Sequence, residues 1–410
     1  MKRYILSICT LLVLSMTADA QWYLFPNKNK NKEKKETPVQ QEQNRQEAQG
    51  EKPVFEMEAE PVKDTVIVQT ATDEYVYEKA DVINAALLLP LNASGNPNNN
   101  FFELYCGAIM AARDLGNQGI RINLNVYDIS DSRILKDSTV FLANDVILGP
   151  VTESQVKSAL PYLPKHKGII SPLDPKVAEL ADSCKVIQAP AHWTSQYDEL
   201  ARWVAEENAG SSSKVIVIKD GNGENEQGNY LISRLEACNV RFECIGSINR
   251  ADVPEGVRSY VIASDRDDFI ATNIRELNLS GKKCIPQLYT VSRVRNLPLD
   301  PNALYRLNTC MTTNYHIDYN DIKVREFLLA YRALFNNEPG SFAFQGYDLT
   351  HYFVRMCSSF GRQWYKKVED MSEKGLQSDF HFIHEDKLGH VNSAVRRIRY
   401  NSLDMSVTLE

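Results

Sequence analysis

From residue 82 onward the chain alternates short apolar runs with amphipathic stretches. Residues 82–89 are mostly apolar and end at Pro90, which predicts a strand buried on both faces. Residues 101–115 set Phe102, Cys106, Ile109 and Met110 on one helical face. An alternating strand at 120–127 follows, then Val146-Ile147-Leu148 closed by Gly149-Pro150, a helix at 152–163, and strands at 168–170 and 184–188. The pattern then restarts, with helices at 195–207, 228–237 and 267–277 and strands at 215–218, 240–245, 259–263 and 285–289. Repeated strand–helix units predict parallel sheets covered by helices on both faces. Two such blocks predict an α/β fold of two Rossmann-like lobes. Ligands of open parallel sheets bind outside the carboxyl ends of the strands, here the cleft between the lobes.

The first eighty residues break this pattern. Lys2 and Arg3 precede an apolar run from Ile5 to Met16, and Ala18-Asp19-Ala20 places small residues before Gln21. This is the layout of a secretory signal peptide, too short to span a bilayer, with cleavage expected after Ala20. Cys9 lies mid-run behind Ile8, a poor setting for lipid attachment, so a soluble exported and periplasmic product is expected. Residues 21–81 read as a disordered tether, because Asn, Lys, Gln and Glu dominate and little apolar surface is available to offset chain entropy. Asp64-Thr65-Val66 within it resembles a bacterial O-glycosylation sequon.

Composition narrows the function classes. The 410 residues carry 46 Lys plus Arg against 53 Asp plus Glu, a formal net charge of −7. That balance argues against nucleic acid as a partner. No later apolar run is long enough for a membrane span in the mature chain. Beyond Cys9 the cysteines are Cys106, Cys184, Cys238, Cys244, Cys284, Cys310 and Cys357, an odd number without CxxC spacing. They read as free thiols, with Cys238 and Cys244 the best candidate pair.

The order of several segments carries a resemblance. Ala86-Leu87-Leu88-Leu89-Pro90-Leu91, Val126-Tyr127-Asp128, Ile147-Leu148-Gly149-Pro150-Val151, Ile169-Ile170-Ser171-Pro172-Leu173 and Phe344-Gln345-Gly346-Tyr347-Asp348 follow one another in the chain. Together they resemble type I periplasmic binding proteins of the Leu/Ile/Val-binding kind, from residue 82 to the C-terminus. The resemblance implies three crossings between lobes, near 189–193, 291–308 and 378–392. Lobe 1 would then be 82–190 plus 306–378, and lobe 2 would be 191–305 plus 379–410.

The same resemblance points to cleft residues. Thr152, Ser154 and Ser171 match positions where the family uses hydroxyls, and a helix N-terminus at 152 would suit a ligand carboxylate. N-capping is the equal alternative for Thr152, and capping also competes for Asp174. In the second block, Asp220 and Ser264 are expected at strand ends facing the cleft, with Trp193 on its floor or in the core. Gly221 and Gly223 do not complete a dinucleotide fingerprint. The first loop, 92–100, is rich in Asn and lacks the aromatic residue that amino-acid binders of this family carry there.

His381, His384 and His390 lie near Glu385, but strand alternation would put His381 and His384 on opposite faces, so no metal site is expected. No GxSxG, Walker loop or CxxC is present, so neither enzymatic activity nor a cofactor is expected. The leading expectation is an exported solute-binding protein that closes on a small-molecule ligand, an amino acid or peptide fragment, and delivers it to an ABC permease. The alternative is a ligand-independent envelope scaffold or regulator whose partner is a cell-wall enzyme.

Overall fold

The computed structural model describes residues 75–410, apart from 181–185, 223, 252, 254, 281–283, 301 and 386–388. Residues 1–74 are not among those described. The expected signal peptide, the sequon and the tether as far as Glu74 lie there, outside the described residues.

The first lobe is built from β1 (Ile83–Leu89), α1 (Asn99–Asn117), β2 (Ile122–Asp128), α2 (Ser138–Ala143), β3 (Val146–Leu148), α3 (Glu153–Ala159), β4 (Ile169–Ser171) and β5 (Val186–Ala191). The second lobe begins with α4 (Trp193–Glu207), β6 (Val215–Lys219), α5 (Glu226–Ala237), β7 (Phe242–Ile245) and β8 (Gly256–Ala263). It continues with α6 (Asp267–Asn278), β9 (Cys284–Val291), α7 (Ala303–Arg306) and β10 (Cys310–Thr313). The chain then returns to the first lobe through α8 (Ile322–Phe335) and α9 (Ser341–Phe360). There it adds β11 (Ser372–Lys374), β12 (Asp379–Glu385) and β13 (Gly389–Asn392). It ends in the second lobe with β14 (Arg396–Tyr400) and β15 (Val407–Leu409).

The first sheet runs β11-β12-β13-β5-β4-β3-β1-β2 and the second β15-β14-β10-β9-β8-β6-β7. The strand–helix units pair in parallel, while β12–β13 and β14–β15 are antiparallel additions. β1 sits between β2 and β3, so both its edges are paired, and Ala85 to Leu88 are wholly buried. In the second lobe, Leu200, Trp203 and Val204 of α4 pack one sheet face with Leu231 and Leu235 of α5. Ile270, Ile274 and Leu277 of α6 cover the other. Helices α1 and α9 pack at backbone distance. A Cβ on Gly107 would lie 1.9 Å from the Ala343 carbonyl oxygen, and one on Gly346 1.9 Å from that of Leu104. Only glycine permits that approach.

Strand pairing moves two of the expected boundaries. β12 and β13, expected in lobe 2, join the first sheet, where β13 runs parallel to β5. β10, expected in lobe 1, lies between β9 and β14 in the second sheet. The chain therefore crosses at His192, again just after β10, and last between Asn392 and Arg396. Residues 75–79, expected in the tether, are tied to the first lobe. The Tyr75 hydroxyl donates to the Phe360 carbonyl at 2.8 Å and the Arg362 N–H to that of Glu78 at 2.8 Å. Cys238 and Cys244, the expected candidate pair, are both free thiols, as are Cys106, Cys310 and Cys357.

Side chains stitch the three crossings together. Asn392 donates to the Ala189 and Asp379 carbonyls, at 3.0 and 2.8 Å, and accepts from the His381 and Ala394 amides. Asn314 donates to the Ala191 carbonyl at 3.0 Å. Arg396 donates to Asp379 Oδ1 and to the carbonyls of His316, Gly375 and Leu376. Asp348 of α9 holds the neighbouring turn by accepting from the Leu376, Gln377 and Ser378 amides.

Candidate functional site

The carboxyl ends of β3 and β4 in the first lobe and of β6 and β8 in the second carry most of the residues singled out from the sequence. Thr152 is the N-cap of α3 and completes a capping box with Gln155. Its hydroxyl accepts from the Gln155 amide, while Gln155 Oε1 accepts from the Thr152 and Val151 amides at 3.1 and 3.2 Å. Asp174, beyond the end of β4, is buried and accepts from the Glu153 amide at 2.9 Å. The first-turn amides of a short helix are thus largely spent on its own chain. Ser154 is exposed and its hydroxyl lies 3.1 Å from that of Thr152. Ser171 is wholly buried, and its hydroxyl makes no hydrogen bond.

The second lobe repeats this arrangement. Asp265, beyond β8, accepts from the Gln227 and Gly228 amides at 3.2 and 3.0 Å and so fills the first turn of α5. Asp220, at the end of β6, accepts from the Ser264 hydroxyl at 2.8 Å and the Asn222 amide at 3.0 Å, and pairs with Arg266 at 2.8 Å. Burial disfavours its charge, but Arg266, the Asn222 N–H and the Ser264 hydroxyl outweigh that and hold the carboxyl below the usual carboxylate range. The Arg266 side chain stays 44% exposed, so one cationic face remains open to solvent.

Trp193 opens α4 just past the first crossing. Its ring meets Tyr197 and Tyr230 edge-on, with centroids 5.8 and 5.1 Å away, and it remains half-buried. Thr152, Ser154 and Asp174 are therefore drawn together on one lobe, and Asp220 and Ser264 on the other. Among the described residues no hydrogen bond or ion pair joins the two groups. Gln155, Asp265 and Arg266 escaped the sequence reading. Gln155 was within reach, since Thr-x-x-Gln before an apolar position marks a capping box. Asp265 was not, because the Gln227 amide it caps lies 38 positions earlier in the chain.

The first loop is also self-contained. Asp128 at the end of β2 accepts from the Asn92 and Ala93 amides at 3.1 and 2.9 Å. Burial opposes its charge, yet those amides and the Ser130 hydroxyl and N–H hold its pKa down to about 2.

A cavity of about 620 Å³ lies elsewhere, lined by Lys214, Ile216, Ile245, Ile248, Arg258 and Tyr260. Its lining shares no residue with the two groups of site residues.

Sequence comparison finds neither a matching family model nor a matching curated protein. Structure comparison does find chains of similar fold. One, from Rhodospirillum rubrum and assigned to branched-chain amino acid ABC transport, is 15% identical with a TM-score of 0.56, over 81% of this chain and 100% of that one. The chain has the type I periplasmic binding fold. A substrate-binding protein of Desulfitobacterium hafniense in complex with Leu aligns at 15% identity and TM-score 0.46, over 80% of this chain and 99% of that one. A solute-binding protein of Rhodopseudomonas palustris in complex with 3,4-dihydroxybenzoic acid aligns at 14% identity and TM-score 0.47, over 80% and 95%. The three crossings join the two lobes, and the two groups of site residues lie at carboxyl strand ends, one group on each lobe. Among the described residues no helix is long and apolar enough to cross a membrane.

Proposed function

We propose that this chain is a non-catalytic, exported solute-binding protein that closes its lobes on a small molecule, is cleaved after Ala20, and hands its ligand to an ABC permease. The reading rests on the bilobal fold, with its facing carboxyl strand ends. The ligand-facing groups are then Thr152 and Ser154 on the first lobe, with Ser171 buried behind them, Trp193 beside the first crossing, and Ser264 with Arg266 beside Asp220 on the second.

One observation narrows the ligand. A carboxylate cannot take the Glu153 amide without displacing Asp174, nor the Gln227 and Gly228 amides without displacing Asp265. The favoured ligand is therefore neutral and polar, bound through hydroxyls and the Trp193 ring, rather than a free amino acid gripped by its carboxylate. A thermal-shift panel of neutral sugars, amides and blocked peptides beside leucine, isoleucine and aromatic acids tests this. At a hundredfold excess over the dissociation constant, a true ligand adds about 2.7 kcal/mol of stability. Micromolar binding of leucine would overturn the neutral-ligand reading.

The same internal capping favours a second reading, an envelope scaffold or regulator of cell-wall synthesis that binds no solute. No shift across the whole panel, with recovery of a cell-wall enzyme rather than a permease from envelope extract, would select it.

A further inference from the structure

Away from the strand ends, three metal-ligating side chains converge on the first lobe. His384 and His390 stand directly opposite each other in the register of the β12–β13 hairpin. Their ring centroids are 5.2 Å apart and the planes are tilted by 59°. Glu369 approaches from the 3₁₀ segment Gly361–Asp370, and its Oε1 lies 3.2 Å from His390 Nδ1. Ligand atoms of all three lie within 4.8 Å of one another. His390 Nδ1 is shut off from solvent, and Glu369 is its ion-pair partner. His381 takes no part, because its Nδ1 lies 2.8 Å from the Ser372 hydroxyl.

We propose that Glu369, His384 and His390 form a binding site for a divalent transition metal, with Zn²⁺ the best match. Two imidazoles and one carboxylate are the ligand set of zinc sites that keep a position open. Mg²⁺ and Ca²⁺ prefer oxygen-only ligands. Zinc–nitrogen and zinc–oxygen bonds of about 2.0–2.2 Å place tetrahedral ligand atoms roughly 3.3 Å apart. The Glu369–His390 pair already has that spacing. His384 is exposed, so rotation of its ring closes the third edge without moving backbone. A plain ion pair explains the arrangement less well, since it gives His384 no role. The bound ion would tie the hairpin to the 3₁₀ segment and leave its remaining coordination position toward solvent.

The test is calorimetric titration of Zn²⁺ into the chelator-treated full chain with its cysteines alkylated, in parallel with E369Q, H384A and H390A. One equivalent is expected, with a rise in melting temperature that Mg²⁺ does not reproduce. H384A and H390A should each weaken binding by about a hundredfold and E369Q by about tenfold. His384 is exposed, so H384A keeps the fold, as circular dichroism will check, and carries the test if H390A does not fold. No binding at 100 µM Zn²⁺, or unchanged affinity in H384A, overturns the site.

Discussion

Asp174 accepts the Glu153 amide at 2.9 Å and so occupies the helix terminus where a ligand anion would otherwise bind. A charged acceptor on a first-turn amide stabilises a helix by about 1–2 kcal/mol. Asp174→Ala should lose that amount in urea denaturation, and Asp174→Asn less. With the terminus vacated, acetate should stabilise Asp174→Ala more than the parent. Equal acetate responses would mean that the turn is not an anion site even when empty.

The Arg396–Asp379 pair lies at the last crossing, 2.6 Å apart, with the Arg396 side chain 4% exposed. Its guanidinium also serves carbonyls from two other segments. Removing one partner of a buried pair costs about 3–5 kcal/mol because the other stays buried and unpaired. Arg396→Ala should therefore lower the urea midpoint sharply, while the double variant with Asp379→Ala should recover part of the loss. Strict additivity of the two changes would show that they are not coupled.

His316 lies beside the same arginine. Burial lowers its pKa to about 4, and the positive charges of Arg295 and Arg396 add to the effect. In the unfolded chain it titrates near 6.5. The folded state therefore holds the neutral ring and excludes the proton. Its stabilising contribution is complete above about pH 6.5 and is lost as pH falls from there toward 4, by up to about 3 kcal/mol. His316→Gln should flatten the stability profile in that window. A profile unchanged by the substitution would show that other groups carry the pH dependence.

Gly107 and Gly346 allow α1 and α9 to meet backbone to backbone. Gly107→Ala forces a methyl onto the Ala343 carbonyl. Overpacking of this kind costs about 1–3 kcal/mol or more. Differential scanning calorimetry should show a melting point several degrees lower, although alanine is the better helix former by about 1 kcal/mol. A rise would mean that the helices separate freely.

The folded core was legible where periodicity was strong. Residues 82–89 read as a doubly buried strand because Ala85 to Leu88 leave no polar face, and β1 does occupy an interior position in its sheet. The βα alternation likewise announced two lobes. Short segments were harder. β10 and the β12–β13 hairpin carry strand character, but nothing local says which sheet they extend. Asn392 decides it for β13 by bonding to the Ala189 carbonyl, some two hundred positions away in the chain.

The site divides in the same way. The family resemblance singled out Thr152, Ser154 and Ser171 as candidates, and the strand and turn pattern singled out Asp220 and Ser264. Which partners those groups bond within the chain was decided only in three dimensions. Asp174 and Asp265 reach amides distant in sequence, and Glu369 reaches the His384–His390 pair from a segment with no pattern linking it to them. Periodicity is a property of neighbouring residues, so it specifies elements and their buried faces. Capping, pairing and coordination depend on which chain ends the packed core brings within about 3 Å of each other, and only the tertiary fold decides that.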